Sequence, residues 1–326
     1  MALPRVFVSR TIDGEALAGL RARAEVQVFG QPRPPTPGEL TDGVREADGL
    51  LCMLTDRVDR ALLDQAPRLR AVSTLSVGLD HVDLAACTAR GIAVGHTPGV
   101  LTEATADLAF ALLLGAARHV APGDAFVRSG RWKTWDPGLL LGRDLSGATL
   151  GIAGLGAIGQ AVVRRARGFS MRVLYANRTA RPEVEAEFGA RRVDKDTLLA
   201  ESDFLSLHLA LTPETRHYLG ERELARMKPR AVLVNTSRGA VVDSAALARA
   251  LAAGRPAAAA LDVFDPEPPS ADDPLLALPN VLLAPHLGSA TVETRGRMAA
   301  LAVLNLLLSL EGRRPKHCAN PELFSR

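Results

Sequence analysis

A glycine-rich segment near the middle of the chain constrains the fold more than any other feature. Residues 150–159 read LGIAGLGAIG, an apolar run that leads directly into G-x-G-x-x-G and then into an amphipathic stretch. This order predicts a strand, a tight turn at Gly154 and a helix that packs closely on the strand at Gly159. Gly156 lets the backbone approach a pyrophosphate, and free N–H groups at the helix start favour an anion. The segment therefore predicts a dinucleotide site.

The segment after the next predicted strand indicates which dinucleotide binds. An NAD site normally carries Asp or Glu about 20 residues on, where the carboxylate binds the ribose 2′-hydroxyl. Here strand 172–176 is followed by Asn-Arg-Thr-Ala-Arg, and no acidic residue comes before Glu183. Arginine pairs well with a 2′-phosphate, so we expect NADP(H) to be preferred, with NAD(H) possible. The alternative is a pair of ordinary surface arginines. The candidate residues are Asn177, Arg178, Thr179 and Arg181.

Composition restricts the class of protein. With 326 residues, 47% hydrophobic and 23% charged, the chain fits one large or two medium globular domains. The net charge of +3 includes no basic block, which argues against a nucleic-acid partner. No signal peptide or uninterrupted apolar span is present, so we expect a cytoplasmic protein without a membrane partner. The three cysteines lie far apart, and no histidine has metal-ligand spacing, so we expect no disulfide and no metal.

Two series of apolar runs alternating with helical patterns predict an α/β protein with two doubly wound parallel sheets, Rossmann-like and flavodoxin-like. We expect a substrate-binding domain over 1–100 plus 287–326, a nucleotide-binding domain over 101–286, and a deep cleft between them. The predicted strands of the first series are 5–9, 25–29, 49–54, 71–75 and 92–94, with helices at 15–20, 38–47, 59–66 and 83–90. The second series comprises the fingerprint strand, 172–176, 204–209, 231–235, 258–262 and 281–284, with helices at about 102–120 and 291–310.

Three polar residues each follow a strand of the second series, where open parallel sheets bind their ligands. Reduction of a 2-keto acid needs a cation for the carboxylate, a general acid, and a group that keeps the acid protonated. Arg238, His286 and Glu267 have the matching chemistry. Each also has a structural interpretation: a loop arginine paired with Asp243, a structural histidine and a solvated acidic loop.

Four separated motifs together resemble the D-isomer-specific 2-hydroxyacid dehydrogenase family, over nearly the whole chain. They are the fingerprint, N-x-S/T-R-G at 235–239, D-V-F-x-x-E-P at 262–268 and P-H-x-G at 285–288. The segments at 73–81, 134–137 and 286–291 are similar to the glyoxylate reductase/hydroxypyruvate reductase branch. In two places the chain departs from the family, with Ala210 in place of a proline and Leu139 in place of an aromatic residue.

The resemblance implies a role for each site residue. Arg238 would bind the substrate carboxylate and carbonyl, His286 would be the acid/base, and Glu267 would hydrogen-bond His286 and favour its protonated form. Further substrate contacts would come from Leu54, Ser76, the backbone N–H groups of Val77 and Gly78, Trp135 and Ser289. Cofactor contacts, besides those on the ribose side, would come from Thr105, Gly154, Leu155, Gly156, Ala157, Ile158, Gly159, His208, Thr212, Thr236, Ser237, Arg238, Asp262, His286 and Gly288.

The implied activity is NAD(P)H-dependent reduction of glyoxylate or hydroxypyruvate to the D-2-hydroxy acid. The resemblance also implies a homodimer, with the helix at 102–120 and the arm at 130–132 in the interface. Two alternatives remain open. One is another dehydrogenase of the family, acting on phosphoglycerate, formate, phosphite or a larger 2-keto acid. The other is a non-catalytic, nucleotide-sensing corepressor.

Overall fold

The computed structural model describes residues 2–325, which form two compact units. The first unit comprises the described residues up to Leu101 together with those from Thr291 on, and the second runs from Thr102 to Ala290. Each unit is built around its own parallel sheet. The predicted fold class, α/β with two doubly wound parallel sheets, is confirmed.

The first unit contains a five-stranded sheet. Its strands are β1 (Arg5–Val8), β2 (Glu25–Val28), β3 (Gly49–Cys52), β4 (Ala71–Thr74) and β5 (Ala93–Gly95). The helices between them are α1 (Gly14–Arg21), α2 (Pro37–Val44), α3 (Arg60–Asp64) and α4 (Leu84–Ala89). The strands are all parallel and lie in the order β2-β1-β3-β4-β5. Every residue of β3 and β4 is buried, as expected for central strands covered on both faces.

Side-chain caps at the start of each helix explain where the helices of this unit begin. The side chains of Asp13, Asp59 and Asp83 accept backbone N–H bonds at the starts of α1, α3 and α4. Thr36 and Glu39 form a reciprocal capping box at the start of α2. Each cap satisfies N–H groups that have no partner inside the helix.

The second unit contains a seven-stranded parallel sheet. Its strands are β6 (Thr149–Ala153), β7 (Arg172–Ala176), β8 (Arg191–Arg192), β9 (Phe204–Leu207), β10 (Val232–Asn235), β11 (Ala258–Leu261) and β12 (Val281–Leu283). Its helices are α5 (Thr102–Ala117), α6 (Val120–Arg128), α7 (Ala157–Ala166), α8 (Pro182–Phe188), α9 (Lys195–Glu201), α10 (Glu221–Arg226) and α11 (Ser244–Ala252). The strand order is β12-β11-β10-β9-β6-β7-β8, so the winding direction reverses between β6 and β9. Ligands of such sheets bind at the carboxyl ends of the strands beside this switch point.

The predicted helix at 102–120 is wrong in its extent, because the chain forms two helices there. His119 has a left-handed backbone (φ 52°) between α5 and α6, and the two helix axes differ by 61°. The carbonyl of Ala117 accepts a hydrogen bond from the N–H of Arg143 (2.8 Å), which ends α5. Within residues 2–325 no single helix is long and apolar enough to cross a bilayer; α5 and α6 meet that criterion only as a bent pair.

Helices cover both faces of each sheet. In the second unit, α5 and α7 pack on one face around Phe110 and Val163, and α9 to α11 cover the other around Leu199 and Leu247. The chain then returns to the first unit with α12 (Val292–Leu310), which packs against α1, β3, β4 and β5. Eleven residues of α12 are buried, so this helix is a core element of the first unit.

Candidate active site

The glycine loop lies at the carboxyl end of β6, beside the switch point. Gly154 has a left-handed backbone (φ 92°), and a Cβ there would lie 2.7 Å from the His208 carbonyl oxygen. A Cβ on Gly159 would lie 2.4 Å from the Gly154 carbonyl oxygen, so both positions require glycine. Gly156 differs, because a Cβ there would meet nothing within 4 Å. Open space therefore faces the start of α7, whose first N–H groups have no side-chain cap.

The loop after β7 is held by bonds to its backbone. The Tyr175 hydroxyl accepts the N–H of Arg181 (2.8 Å) and donates to Glu185 (2.5 Å). The Arg192 guanidinium donates to the carbonyls of Asn177 (3.0 Å) and Arg178 (2.7 Å). Sequence reasoning missed Arg192, because β8 is only two residues long and has no apolar pattern. Three arginines thus lie on or beside the loop that follows β7.

Asp262, Thr105 and Gly288 come together within the second unit. The Asp262 carboxylate is buried and accepts the N–H groups of Leu287 (2.6 Å) and Gly288 (2.8 Å). Burial raises the pKa of this carboxyl group above its ordinary value. A Cβ on Gly288 would lie 3.4 Å from both Asp262 Oδ2 and Thr105 Cγ2, so glycine permits this close packing. The contact joins the carboxyl ends of β11 and β12 to the first turn of α5.

His286 and Glu267 form a hydrogen-bonded pair. The Nδ1 atom of His286 lies 2.5 Å from Oε1 of Glu267, and Oε2 of Glu267 accepts the N–H of Phe264 (3.3 Å). His286 has a left-handed backbone (φ 53°), and its N–H donates to the Asp262 carbonyl (2.9 Å). A non-glycine residue in this conformation is uncommon and is often found at functional sites. Because Nδ1 donates to Glu267, the second ring nitrogen is the one that could exchange a proton with a ligand.

Arg238 leaves the carboxyl end of β10 in a tightly organised turn. The buried side chain of Asn235 donates to the Arg238 carbonyl (2.9 Å) and accepts from the N–H and hydroxyl of Ser237 (3.0 and 2.8 Å). A Cβ on Gly239 would lie 1.9 Å from the carbonyl carbon of Phe264. Glycine therefore allows the turn that carries Arg238 to touch the loop that carries Glu267. Asn235 and Gly239 were both within a motif noted in the sequence, but their supporting roles were not predicted.

Other predicted cofactor residues line the ends of β9 and β10. His208 follows β9, its Nε2 lies 2.9 Å from the Ser206 hydroxyl, and burial lowers its pKa to about 4. The imidazole is therefore neutral at physiological pH. Thr236 follows β10 and is buried. Thr212 lies farther out, exposed, in a turn in which its N–H donates to the Thr215 hydroxyl (2.8 Å).

The predicted carboxylate-binding loop belongs to the first unit. It follows β4, where Ser76 is buried and donates its hydroxyl proton to the Gly78 carbonyl (2.8 Å). Leu54 lies in the corresponding position after β3 and is half-buried. Two predicted substrate residues lie elsewhere in the second unit: Trp135 is 75% exposed on the arm after α6, and Ser289 is half-buried after β12.

The groups at the carboxyl edge of the second sheet fit a nicotinamide dinucleotide. Among residues 2–325, the Nε atom of Arg181 and the hydroxyl of Thr236 are buried without a hydrogen-bond partner. One atom lies near the end of β7 and the other at the end of β10, on either side of the open start of α7. Buried polar atoms normally find partners, so these two are suited to a bound polar ligand. The sheet order and the glycine loop define the second unit as a dinucleotide-binding domain.

Comparisons with known proteins agree that the second unit binds a dinucleotide, and they identify the family of the chain. A family model described as "D-isomer specific 2-hydroxyacid dehydrogenase, NAD binding domain" matches residues 110–288. A glyoxylate reductase of Thermococcus litoralis is 49% identical over 99% of this chain and 98% of its own length. The chain belongs to the D-isomer specific 2-hydroxyacid dehydrogenase family, and the predicted resemblance to its glyoxylate reductase branch is confirmed. It is accordingly an oxidoreductase with a nicotinamide-dinucleotide site.

Solved structures show the same fold over nearly the whole chain. A protein of Thermus thermophilus superimposes with a TM-score of 0.91 and 50% identity, covering 97% of this chain and 99% of the other. An NADPH-dependent glyoxylate/hydroxypyruvate reductase of Sinorhizobium meliloti, in complex with NADP and malonate, superimposes with a TM-score of 0.84 and 32% identity. That match covers 98% of this chain and 97% of the other.

Proposed function

We propose that this protein reduces glyoxylate and hydroxypyruvate to glycolate and D-glycerate, with NADPH as the preferred reductant. The observation that carries the proposal is the 2.5 Å contact between His286 and Glu267 at the carboxyl ends of neighbouring strands. A carboxylate that accepts from Nδ1 of an imidazole fixes the tautomer and the orientation of the ring, which leaves the second ring nitrogen to face a ligand. Similarity to glyoxylate reductases over 99% of the chain supports the choice of substrate.

The acid/base step belongs to His286. When bound, reduced nicotinamide supplies the hydride that is added to the keto carbon. His286 donates a proton from Nε2 to the substrate oxygen, so that no free alkoxide accumulates. The Nδ1 proton stays on His286 and is donated in a hydrogen bond to Oε1 of Glu267, while the Phe264 N–H holds the other carboxylate oxygen in place (3.3 Å). In the oxidation direction His286 takes the proton back.

Arg238 binds the substrate carboxylate and polarises the keto carbonyl. Its planar guanidinium can engage a carboxylate in a bidentate manner and place positive charge beside the keto oxygen. The turn held by Asn235 limits the motion of the Arg238 backbone, so the charge is pre-oriented. In the first unit, we infer that the backbone N–H groups of Val77 and Gly78 are carboxylate donors.

Three features support NADPH over NADH. The loop after β7 contains Arg178 and Arg181 and no carboxylate. The buried Nε atom of Arg181 has no hydrogen-bond partner among the described residues. Arg192 adds a further positive charge while it holds the backbone of the same loop. A 2′-phosphate would therefore meet only cationic and neutral groups on this loop.

We also infer that the protein forms a homodimer. α6 buries none of its residues, and residues 129–141 are all exposed. The exposed fractions reach 55% for Val127, 75% for Trp135 and 72% for Leu141. Exposed apolar patches of this kind commonly mark protein interfaces. We define residues 120–141 as the apolar arm and assign it to the subunit interface.

The test is the initial rate of NADPH and NADH oxidation with glyoxylate, hydroxypyruvate, pyruvate and phenylpyruvate. We expect rapid NADPH turnover with the first two acids and slower turnover with the bulkier phenylpyruvate. A clear preference for NADH would overturn the cofactor assignment alone. Tight nucleotide binding without turnover of any of the four acids would overturn the substrate assignment and favour a sensor or a different substrate.

A further inference from the structure

The loop after β4 has an unusual arrangement of hydrogen bonds. The Ser76 carbonyl accepts both the N–H (2.8 Å) and the hydroxyl (3.0 Å) of Thr97. The Val77 carbonyl accepts a bond from Nδ1 of His96 (3.1 Å), which requires the proton to be on that nitrogen. Two neighbouring residues at the end of β5 thus hold two successive carbonyl groups of this loop.

Those carbonyls belong to the same peptide groups as the predicted anion donors. The Ser76 carbonyl shares a peptide with the Val77 N–H, and the Val77 carbonyl shares one with the Gly78 N–H. A trans peptide is planar, with its C=O and N–H pointing in opposite directions. Holding the carbonyl therefore fixes the direction of the N–H, and a donor on the carbonyl polarises the N–H further.

The N–H groups themselves are available. Within the described part of the first unit, neither the Val77 nor the Gly78 N–H donates to a protein acceptor. Successive backbone N–H groups of this kind form concavities that bind anions. The loop thus has its carbonyl side occupied by protein and its N–H side open.

His96 is itself anchored from two sides. Its N–H donates to the His317 carbonyl (3.2 Å), and its carbonyl accepts from the side-chain amide of Asn305 (2.9 Å). Asn305 is fully buried on α12, and its Oδ1 accepts the N–H of His317 (3.2 Å). A Cβ on Gly95 would lie 2.6 Å from the Asn305 Cβ, which shows how closely α12 meets the end of β5. The His96 backbone therefore has little freedom to move.

We propose that His96 and Thr97 are positioning residues that orient and polarise the two backbone donors of the substrate carboxylate. They act on the substrate only through the Ser76–Val77 and Val77–Gly78 peptides. The proposal rests on the proposed function in one respect, namely that these N–H groups bind the carboxylate. It predicts a loss of affinity specific to the carboxylate, without loss of the hydride-transfer step itself.

The test compares two replacements of nearly equal shape. In His96→Asn the side-chain amide can still donate from the δ position, whereas in His96→Leu no donor remains. We expect H96L to raise KM for glyoxylate about five- to tenfold with little change in kcat or in KM for NADPH, the effect of losing one hydrogen bond. H96N should stay within about twofold of the wild type.

Two further measurements separate the possible failures. Glycolaldehyde lacks the carboxylate, so its kcat/KM should be the same in H96N and H96L. A general structural defect in H96L would instead lower kcat/KM for glycolaldehyde and glyoxylate alike. Calorimetric titration with oxalate measures carboxylate binding without turnover. If H96L binds oxalate and glyoxylate as well as H96N does, the proposal is overturned. If the wild type does not reduce glyoxylate but oxalate affinity still falls in H96L, the proposed function fails and the positioning role stands.

A second pair of variants tests the other carbonyl. Thr97→Val keeps the backbone N–H bond to Ser76 and removes the hydroxyl bond, while Thr97→Ser retains both. T97V should weaken oxalate binding about threefold or more relative to T97S. Equal binding by the two variants would remove Thr97 from the proposal. Thermal denaturation of each variant shows whether any loss follows unfolding rather than lost orientation.

Discussion

Substitutions of His286 and Glu267 should lower kcat to different extents. Replacing His286 by Gln removes the transferable proton, so kcat should fall by about 10²–10⁴-fold. Glu267→Gln keeps a hydrogen-bonding side chain but loses the negative charge, so its kcat should lie between that of H286Q and the wild type. Steady-state kinetics and NADPH titration by fluorescence measure both effects. Near-normal turnover in H286Q would remove this histidine from the acid/base role.

Coenzyme preference is also decided by individual side chains. The double variant Arg178→Gln with Arg181→Gln should lower the kcat/KM ratio of NADPH to NADH by at least about tenfold, because each charge-assisted bond to a phosphate contributes roughly 1.5–3 kcal/mol. Arg191→Gln is the matched control, since Arg191 pairs with Glu201 in the same domain. A double variant with an unchanged ratio would mean that the 2′-phosphate binds elsewhere.

His208 should make stability depend on pH. Its pKa is lowered from 6.5 to about 4, so the unfolded chain binds more protons than the folded one between these values. The unfolding free energy therefore contains the full contribution of His208 above about pH 6.5. This contribution falls by up to roughly 3 kcal/mol as the pH approaches 4. His208→Gln should flatten this dependence, measured as the difference in urea unfolding free energy between pH 7 and pH 5. An equal pH dependence in both proteins would contradict the prediction.

At the scale of elements, the glycine loop offers a matched pair of substitutions. A Cβ on Gly159 would collide with the Gly154 carbonyl, so Gly159→Ala should lower the unfolding free energy by about 1–3 kcal/mol. Gly156→Ala meets no protein atom within 4 Å and has an ordinary φ of −80°, so its stability should be unchanged. Its methyl group would instead occupy the space before α7 and weaken nucleotide binding at least tenfold. Thermal denaturation and nucleotide titration separate the two effects, and normal binding by G156A would argue against a pyrophosphate at this helix.

The elements that the sequence predicts well are those with a strong local pattern. Of the twelve strands within residues 2–325, eleven follow from apolar runs, because the central strands of a parallel sheet are buried on both faces. β8 was missed because its two exposed arginines carry no such pattern. The helix at 102–120 was extended too far because the break at His119 depends on a bond between Ala117 and Arg143, distant in sequence. Local periodicity contains no information about that bond.

The candidate site also depends on contacts between residues that are distant in the sequence. Arg238, Glu267 and His286 were predicted because each follows a strand and has a distinctive chemistry. The contact of Gly239 with Phe264, which joins the loops of Arg238 and Glu267 across 25 residues, was not predictable. The bond from His96 to Val77, which holds the loop after β4 across 19 residues, was not predictable either. Sequence patterns identify chemically suitable side chains, whereas their support depends on which strands become neighbours.

At the scale of the whole molecule, the apolar arm predicts the state of assembly. Light scattering at micromolar concentration should give a mass twice that of one chain, which is 34.5 kDa. Val127→Glu combined with Leu141→Glu should shift the protein toward monomer, because two charges would enter the proposed interface. Leu276→Glu is the control, since Leu276 is 42% exposed but lies outside the arm. A monomeric wild type would overturn the assignment of this arm.

The part that α12 plays in the first unit has a consequence for how the protein is made. Ala302 and Leu306 complete the core beneath β1, and Asn320 binds the backbone of Ile92 and Val94 beside β5. A ribosome synthesises these residues after the whole of the second unit. The second unit is therefore fully translated while the sheet built from the first hundred residues still lacks its covering helix. Because domains fold as units, the nucleotide-binding unit can fold during translation before the first unit receives its covering helix.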